Sequence, residues 1–199
     1  MKFDSNNLIP AIIQDSKTLQ VLMLAYMNQE AYDETLKTKR VTFYSRSKQR
    51  LWVKGETSGN YLNLVSIDKD CDNDTLLIKV IPEGPACHLN TTSCFGDQGP
   101  QGTGFLAYLE QVIIQRSKDK PEGSYTAKLM QEGLTRLAQK VGEEGVEVAL
   151  AAVVEQEKLC DEMADLWYHA LMLLVASGKN IDDIIVIMQK RHADYAAKG

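Results

Sequence analysis

At 199 residues the chain has room for one large domain or two small ones. Its composition, 44% hydrophobic and 25% charged, is that of a globular protein able to bury a core. The formal net charge of −5 argues against a broad nucleic-acid-binding surface, and no apolar run is long enough to span a bilayer.

The opening segment, Met1 to Ser16, lacks the charged-then-apolar layout of a secretion signal, so a cytoplasmic setting is expected. In that reducing compartment the four cysteines read as thiols or metal ligands, not disulfides. The pattern predicts strands at Gln20–Ala25, Val41–Ser45, Arg50–Lys54, Tyr61–Asp68 and Thr75–Ile81, with a helix over Asn28–Lys39 capped by Asn28. Pro82, Gly84 and Pro85 then interrupt regular structure. Gly96 to Gly104 holds four glycines and a proline in nine residues, a linker composition. Beyond it the strand signal ends. Helices are predicted at about 105–118, 125–155, 161–177 and 181–197, with Gly178 closing the third and Asn180 capping the fourth. The expected architecture is an α+β, mostly β domain over 1–103, followed by an all-α helical bundle over 104–199.

The densest chemistry of the first segment is Asp70-Cys71-Asp72-Asn73-Asp74. In an extended stretch the three aspartates would share one face and Cys71 the other. Three carboxylates on one face suit a hard cation such as Mg²⁺. Alone, the triplet also reads as a polar turn. An EF-hand loop starting at Asp70 would need Gly and Glu where Thr75 and Ile81 stand, which excludes it. Cys87 and Cys94 flank His88, and with Cys71 they make three soft ligands. Three ligands and one open position is the pattern of a catalytic zinc, whose bound water titrates near about 7. Buried structural cysteines are the alternative.

These segments, with Tyr44-Ser45-Arg46-Ser47, Leu51 to Asn60 and Gly84-Pro85-Ala86-Cys87-His88, resemble phosphoribosyl-AMP cyclohydrolase across the first domain. The resemblance implies zinc on Cys71, Cys87 and Cys94, shared across a homodimer interface. It implies Mg²⁺ on Asp70, Asp72 and Asp74. It also implies hydrolytic opening of an adenine ring at N1–C6. His88 is the candidate proton-transfer group, since imidazole titrates near neutrality, with a structural role as the equal alternative. Arg46, Lys48, Arg50 and Lys54 are cations that substrate phosphates require, though each alone reads first as solvated surface. Trp52 is a candidate base-stacking residue and, more simply, a core residue.

In the second segment, Glu143-Glu144-Gly145-Val146-Glu147 and Glu162-Met163-Ala164-Asp165 place Glu144 with Glu147, and Glu162 with Asp165, on single helix faces. Val146 to Val154 is apolar apart from Glu147, so this helix is expected to be buried all round. A buried carboxylate then demands a partner or a metal. His169 is read as a core histidine or a group behind the metal ligands, and Cys160 as a buried small apolar residue. The pattern resembles the all-α nucleoside triphosphate pyrophosphohydrolases. Its context, Pro121-Glu122-Gly123-Ser124-Tyr125-Thr126-Ala127-Lys128-Leu129 and Gln139 to Glu147, is similar to phosphoribosyl-ATP pyrophosphohydrolase. The resemblance implies Mg²⁺ on Glu144, Glu147, Glu162 and Asp165, with Lys128 and Lys140 as candidate phosphate contacts.

Two other readings stay open at this point. A nucleotide-pool pyrophosphohydrolase fused to a zinc deaminase-like domain would release ammonia. A zinc-stabilised dimerisation module would unfold on chelation and hydrolyse nothing.

Overall fold

The computed structural model describes residues 1–197; Lys198 and Gly199, the end of the second predicted segment, lie outside the described residues. The chain forms two compact units, Met1–Phe105 and Leu106–Gly199.

The first unit is built on a four-stranded sheet in the order β2-β1-β6-β5, from β1 (Ile9–Asp15), β2 (Val21–Met27), β5 (Leu62–Lys69) and β6 (Leu76–Pro82). A hairpin of β3 (Thr42–Ser45) and β4 (Arg50–Val53) forms a second sheet, and α1 (Gln29–Thr38) precedes it. The central pair, β1 and β6, is parallel, with Ala11 opposite Leu76 and Ile13 opposite Ile78. The outer pairings, β1 with β2 and β5 with β6, are antiparallel. Alternate residues Ile9, Ala11 and Ile13 of β1, with Leu76, Ile78 and Val80 of β6, fill one core with Phe43 and Leu62. Asn28 caps α1 through Ala31 N–H, and Lys39 closes it in the left-handed region.

The five expected strands are present with ends shifted by a residue or two, but β1 was not expected. Pro10 hides it, because proline rarely sits inside a sheet. It is tolerated here because the β6 ladder starts one residue later, at Ala11.

The second unit is helical: α2 (Gly104–Asp119), α3 (Tyr125–Glu132), α4 (Leu134–Val154), α5 (Leu159–Ala176) and α6 (Ile181–Ala196). Ile113, Leu129, Leu137, Leu171 and Met172 form its core. The helix expected over 125–155 is two helices. Gly133, at φ 88° and ψ 178°, breaks it with a backbone geometry open to glycine alone. Asn180 and Asp183 form a capping box at α6. The buried Glu110 carboxylate of α2 accepts from Ile181 N–H at 2.6 Å, tying α2 to the start of α6.

Two expectations are corrected. Helix α4 is not buried all round: Val146, Leu150, Val153 and Val154 are exposed in the single chain. Trp167 on α5 and Met188 on α6 are exposed too. Cys160 is exposed, not buried. Among the described residues, no helix is long and apolar enough to cross a membrane.

Candidate functional sites

In the first unit the segment after β6 folds back on itself. Asn90 turns the chain at φ 62° and its N–H bonds Cys87 O, while Cys87 N–H bonds Thr91 O. Ser93 then anchors the loop by donating its hydroxyl to Val21 O at 2.8 Å, and Cys94 N–H reaches Leu22 O at 2.7 Å. This turn sets the Cys94 thiol beside that of Cys87. Leu89 N–H lies 3.5 Å from Cys87 Sγ and, with Thr91, holds the Cys87 pKa below its ordinary value. Partial desolvation, then the neighbouring Cys87 sulfur, pushes the Cys94 thiol up. Two thiols that repel as thiolates fit a soft cation between them.

A cavity of about 390 Å³ opens beside this pair, lined by Trp52, Lys54, Ser58, Asn60 and His88 among others. Trp52 packs one side against Phe43, with ring centroids 5.4 Å apart, and gives another to the cavity. Its core and cavity roles are compatible. His88 is exposed, with Nδ1 3.9 Å from Cys87 Sγ. Lys54 is buried, against the expectation of solvated surface. Burial lowers its pKa, and the charges of Cys94 and Cys87 oppose that shift. Asn60 was not anticipated. It sits where the loop after β4 meets the Cys87 segment, so close to Gly84 that a Cβ there would lie 2.5 Å from Asn60 Oδ1.

Arg46 and Lys48 are exposed and do not line this cavity. Arg46 lies over the Tyr26 ring, 4.1 Å from its centroid. Arg50 pairs with Glu56 at 2.9 Å.

Asp70, Asp72 and Asp74 do converge, with oxygens within 4.8 Å of one another, but not as alternate residues of a strand. They occupy a tight turn between β5 and β6, with Asn73 at φ 65°. Asp70 Oδ1 accepts the N–H groups of Asp74 and Thr75, each at 3.0 Å. Those bonds draw the trio together. The bond from Thr75 N–H dominates a lowered Asp70 pKa, whereas the charge of Asp74 leads in raising that of Asp72. The mutual repulsion fits an oxygen-ligated divalent cation. Cys71, in the same turn, is exposed and does not join Cys87 and Cys94 within 4.8 Å in the single chain.

In the second unit, Glu144 and Glu147 of α4 meet Glu162 of α5, again within 4.8 Å. Glu144 is buried, Glu162 half-buried and Glu147 exposed. Asp165 does not join this group within that distance. Glu147 and Glu162 also line a groove of about 260 Å³ between the two helices. Burial opposes ionisation of Glu144, but the Lys140 hydrogen bond, with Glu147 and the His169 side chain, holds its pKa low. Contact with Glu144, then its charge, pushes Glu147 up, and Glu162 adds to the push. An anionic cluster of this kind fits Mg²⁺.

Lys140 is not free on the surface. Its ammonium lies 2.6 Å from Glu144 and 3.1 Å from Glu143, and these bonds raise its pKa. Glu143 turns away from the cluster to Arg136, at 3.2 Å. Lys128 is exposed and lines a cavity of about 470 Å³ at the start of α3, with Ser124 and Tyr125. Sequence reasoning gave Tyr125 no role, although it opens α3 directly after the Ser124 cap.

Residues 23–96 match the phosphoribosyl-AMP cyclohydrolase family, and residues 106–192 match the phosphoribosyl-ATP pyrophosphohydrolase family. The chain is 54% identical over 189 residues to the "Histidine biosynthesis bifunctional protein HisIE" of Escherichia coli (strain K12), covering 94% of this chain and 93% of that protein. Proteins of the same name from Bacteroides thetaiotaomicron and Xylella fastidiosa (strain Temecula1) are 50% and 52% identical. They cover 97% and 94% of this chain, and 96% and 90% of their own lengths.

Proposed function

Because the chain belongs to the family of bifunctional histidine-biosynthesis proteins that join a phosphoribosyl-AMP cyclohydrolase to a phosphoribosyl-ATP pyrophosphohydrolase, we propose a division of labour between its two units. The second unit hydrolyses phosphoribosyl-ATP to phosphoribosyl-AMP and pyrophosphate. The first then opens the adenine ring of phosphoribosyl-AMP between N1 and C6, without loss of ammonia. The observation that carries this is the separation of two chemistries. Thiols with a cavity lie in one unit, and converging carboxylates beside a groove lie in the other.

In the second unit, Glu144, Glu147 and Glu162 would hold Mg²⁺, with Asp165 as the fourth carboxylate. Mg²⁺ there supplies charge neutralisation on the polyphosphate and orients water for attack. Lys128, exposed in the lining of its own cavity, would supply a phosphate contact. Lys140 serves Glu144 first and would reach phosphate only by leaving it.

In the first unit, Cys87 and Cys94 would hold zinc with Cys71 supplied by a second copy of the chain. The exposure of Cys71, and its distance from the other two thiols in one chain, support that sharing. The exposed apolar residues of α4, α5 and α6 likewise favour a homodimer. Asp70, Asp72 and Asp74 would hold Mg²⁺. Zinc supplies a Lewis acid that makes hydroxide available near neutral pH. Around it, Trp52 offers a face for the purine, and Lys54 offsets thiolate charge at the cavity wall. His88, beside Cys87 on the cavity wall, would pass a proton to the ring nitrogen that leaves C6. Arg46 and Lys48, outside the cavity, are left for the substrate's more distant phosphate. A cytoplasmic setting keeps these thiols reduced.

The test is a two-step assay on phosphoribosyl-ATP with Zn²⁺ and Mg²⁺ present. Wild type should give pyrophosphate and the ring-opened product. Cys94→Ala should stop at phosphoribosyl-AMP. Glu147→Ala should fail at the first step yet still open supplied phosphoribosyl-AMP. A wild type that leaves both compounds untouched overturns the proposal.

A further inference from the structure

Behind the carboxylates of the second unit, a line of polar contacts runs from the α3 cavity to Glu144. Tyr125 has an exposed ring on that cavity, and its hydroxyl lies 2.9 Å from His169 Nε2. His169 Nδ1 lies 2.9 Å from the backbone oxygen of Asp165 and 3.4 Å from Glu144 Oε1. A backbone carbonyl can only accept, so Nδ1 carries a proton, and Nε2 shares a hydrogen bond with the Tyr125 hydroxyl. Both His169 and Glu144 are buried, at 5% and 4% exposure. An imidazole gripped at both nitrogens in such a place cannot turn, and its Nδ1 edge stays against Glu144.

The grip falls on one oxygen. His169 and Lys140 both approach Glu144 Oε1, at 3.4 and 2.6 Å. Three elements therefore set this carboxylate: α3 through Tyr125, α5 through His169 and α4 through Lys140. A second pair on the same two helices provides a contrast. Thr126 Oγ1 and Tyr168 Oη lie 2.6 Å apart, one residue along from Tyr125 and one before His169, and Arg116 bonds the same Thr126 oxygen at 3.4 Å.

We propose that Tyr125 and His169 are positioning residues for the pyrophosphohydrolase reaction, fixing Glu144 in the orientation that receives the divalent cation. This rests on the reading of Glu144, Glu147 and Glu162 as metal ligands. A ligand held in place beforehand loses less freedom when the metal arrives, and removing such support costs about 10- to 100-fold in metal affinity.

The experiment is Mn²⁺ binding to the full-length chain by electron paramagnetic resonance, in a background of Asp72→Asn that silences the acidic turn of the first unit. Tyr125→Phe deletes one hydroxyl and nothing else. His169→Ala removes the ring, and His169→Asn restores a donor near the place of Nδ1. Expected are Mn²⁺ binding weakened about tenfold or more in Tyr125→Phe and His169→Ala, and partial recovery in His169→Asn. Tyr168→Phe should stay within about twofold of the background chain, and Glu147→Gln should bind least. The weakened variants should regain most of their kcat at saturating metal, which a defect in chemistry would not allow.

If Tyr125→Phe binds Mn²⁺ as the background does while Glu147→Gln does not, the positioning role is wrong and the metal site stands. If Tyr168→Phe weakens binding as much as Tyr125→Phe, the effect is helix docking and the proposal falls. If Glu147→Gln binds normally, the metal reading fails and takes this inference with it. Should His169→Ala fail to fold, Tyr125→Phe decides alone.

Discussion

Lys140 Nζ lies 2.6 Å from Glu144 Oε1, one helical turn away on α4, and the carboxylate it serves is buried. Removing the ammonium would leave a desolvated charge with only His169 and its acidic neighbours. Lys140→Met should therefore destabilise the metal-free helical unit by about 1–3 kcal/mol, the cost of a buried polar group losing its partner. Urea unfolding with and without Mg²⁺ is the measurement. The deficit should shrink when Mg²⁺ saturates, because a second cation then faces the same carboxylate.

Glu147 is held above its ordinary pKa first by contact with Glu144 and then by its charge, which marks an unfavourable pair. Glu147→Gln removes that repulsion. In chelator the variant should melt at or above the wild-type temperature. In Mg²⁺ the order should reverse. Wild type should gain about 2.7 kcal/mol at a hundredfold excess over its dissociation constant, and the variant should gain little. Thermal melts of the helical signal in both buffers would show it.

Gly84 has no room for a methyl group, because Asn60 Oδ1 would lie 2.5 Å and its Cγ 2.9 Å from the new carbon. Gly84→Ala should push the Asn60 side chain out of the wall it shares with Cys87. Displacement by about 1 Å near reacting groups can cost a hundredfold. Ring opening should slow by about 10- to 100-fold while pyrophosphate release is unchanged. Equal loss of both activities would point to misfolding instead.

Gly133→Ala forces a Cβ into a backbone region that glycine alone occupies comfortably, although no atom stands in its way. The cost should be about 1–3 kcal/mol, all of it conformational. Chemical unfolding of the helical unit would report it, with little change in Mg²⁺ affinity.

Particular residues show what the sequence could and could not disclose. Alternation made β2 through β6 visible, but β1 was obscured by Pro10, whose exemption depends on where its neighbour's ladder begins. Gly133 was read through because a single glycine is tolerated within a helix. Only its φ, set by the packing of α3 and α4, makes it a break. The aspartates of the acidic turn were grouped for a wrong reason, strand alternation, when Asp70 accepting its own turn's N–H groups brings them together. Val146, Leu150, Val153 and Val154 had the apolar pattern of an interior helix. Such a pattern reports burial against something without saying whether it is the same chain. The pairing of Cys87 with Cys94 was open to inference from their nearness in sequence. Tyr125 and His169 are 44 residues apart, and no local signal joins them.

The parallel pairing of β1 with β6 also has a consequence for synthesis. Ala11 has no partner on that side until Leu76 exists, so the middle of the first sheet cannot close while the earlier part of the chain emerges. Such distant pairing folds slowly. In the helical unit the most extensive packing is between neighbours along the chain, α4 with α5, and such local contacts form quickly. The half that is translated last is thus the one with the more local packing, and it is the half whose product the other consumes.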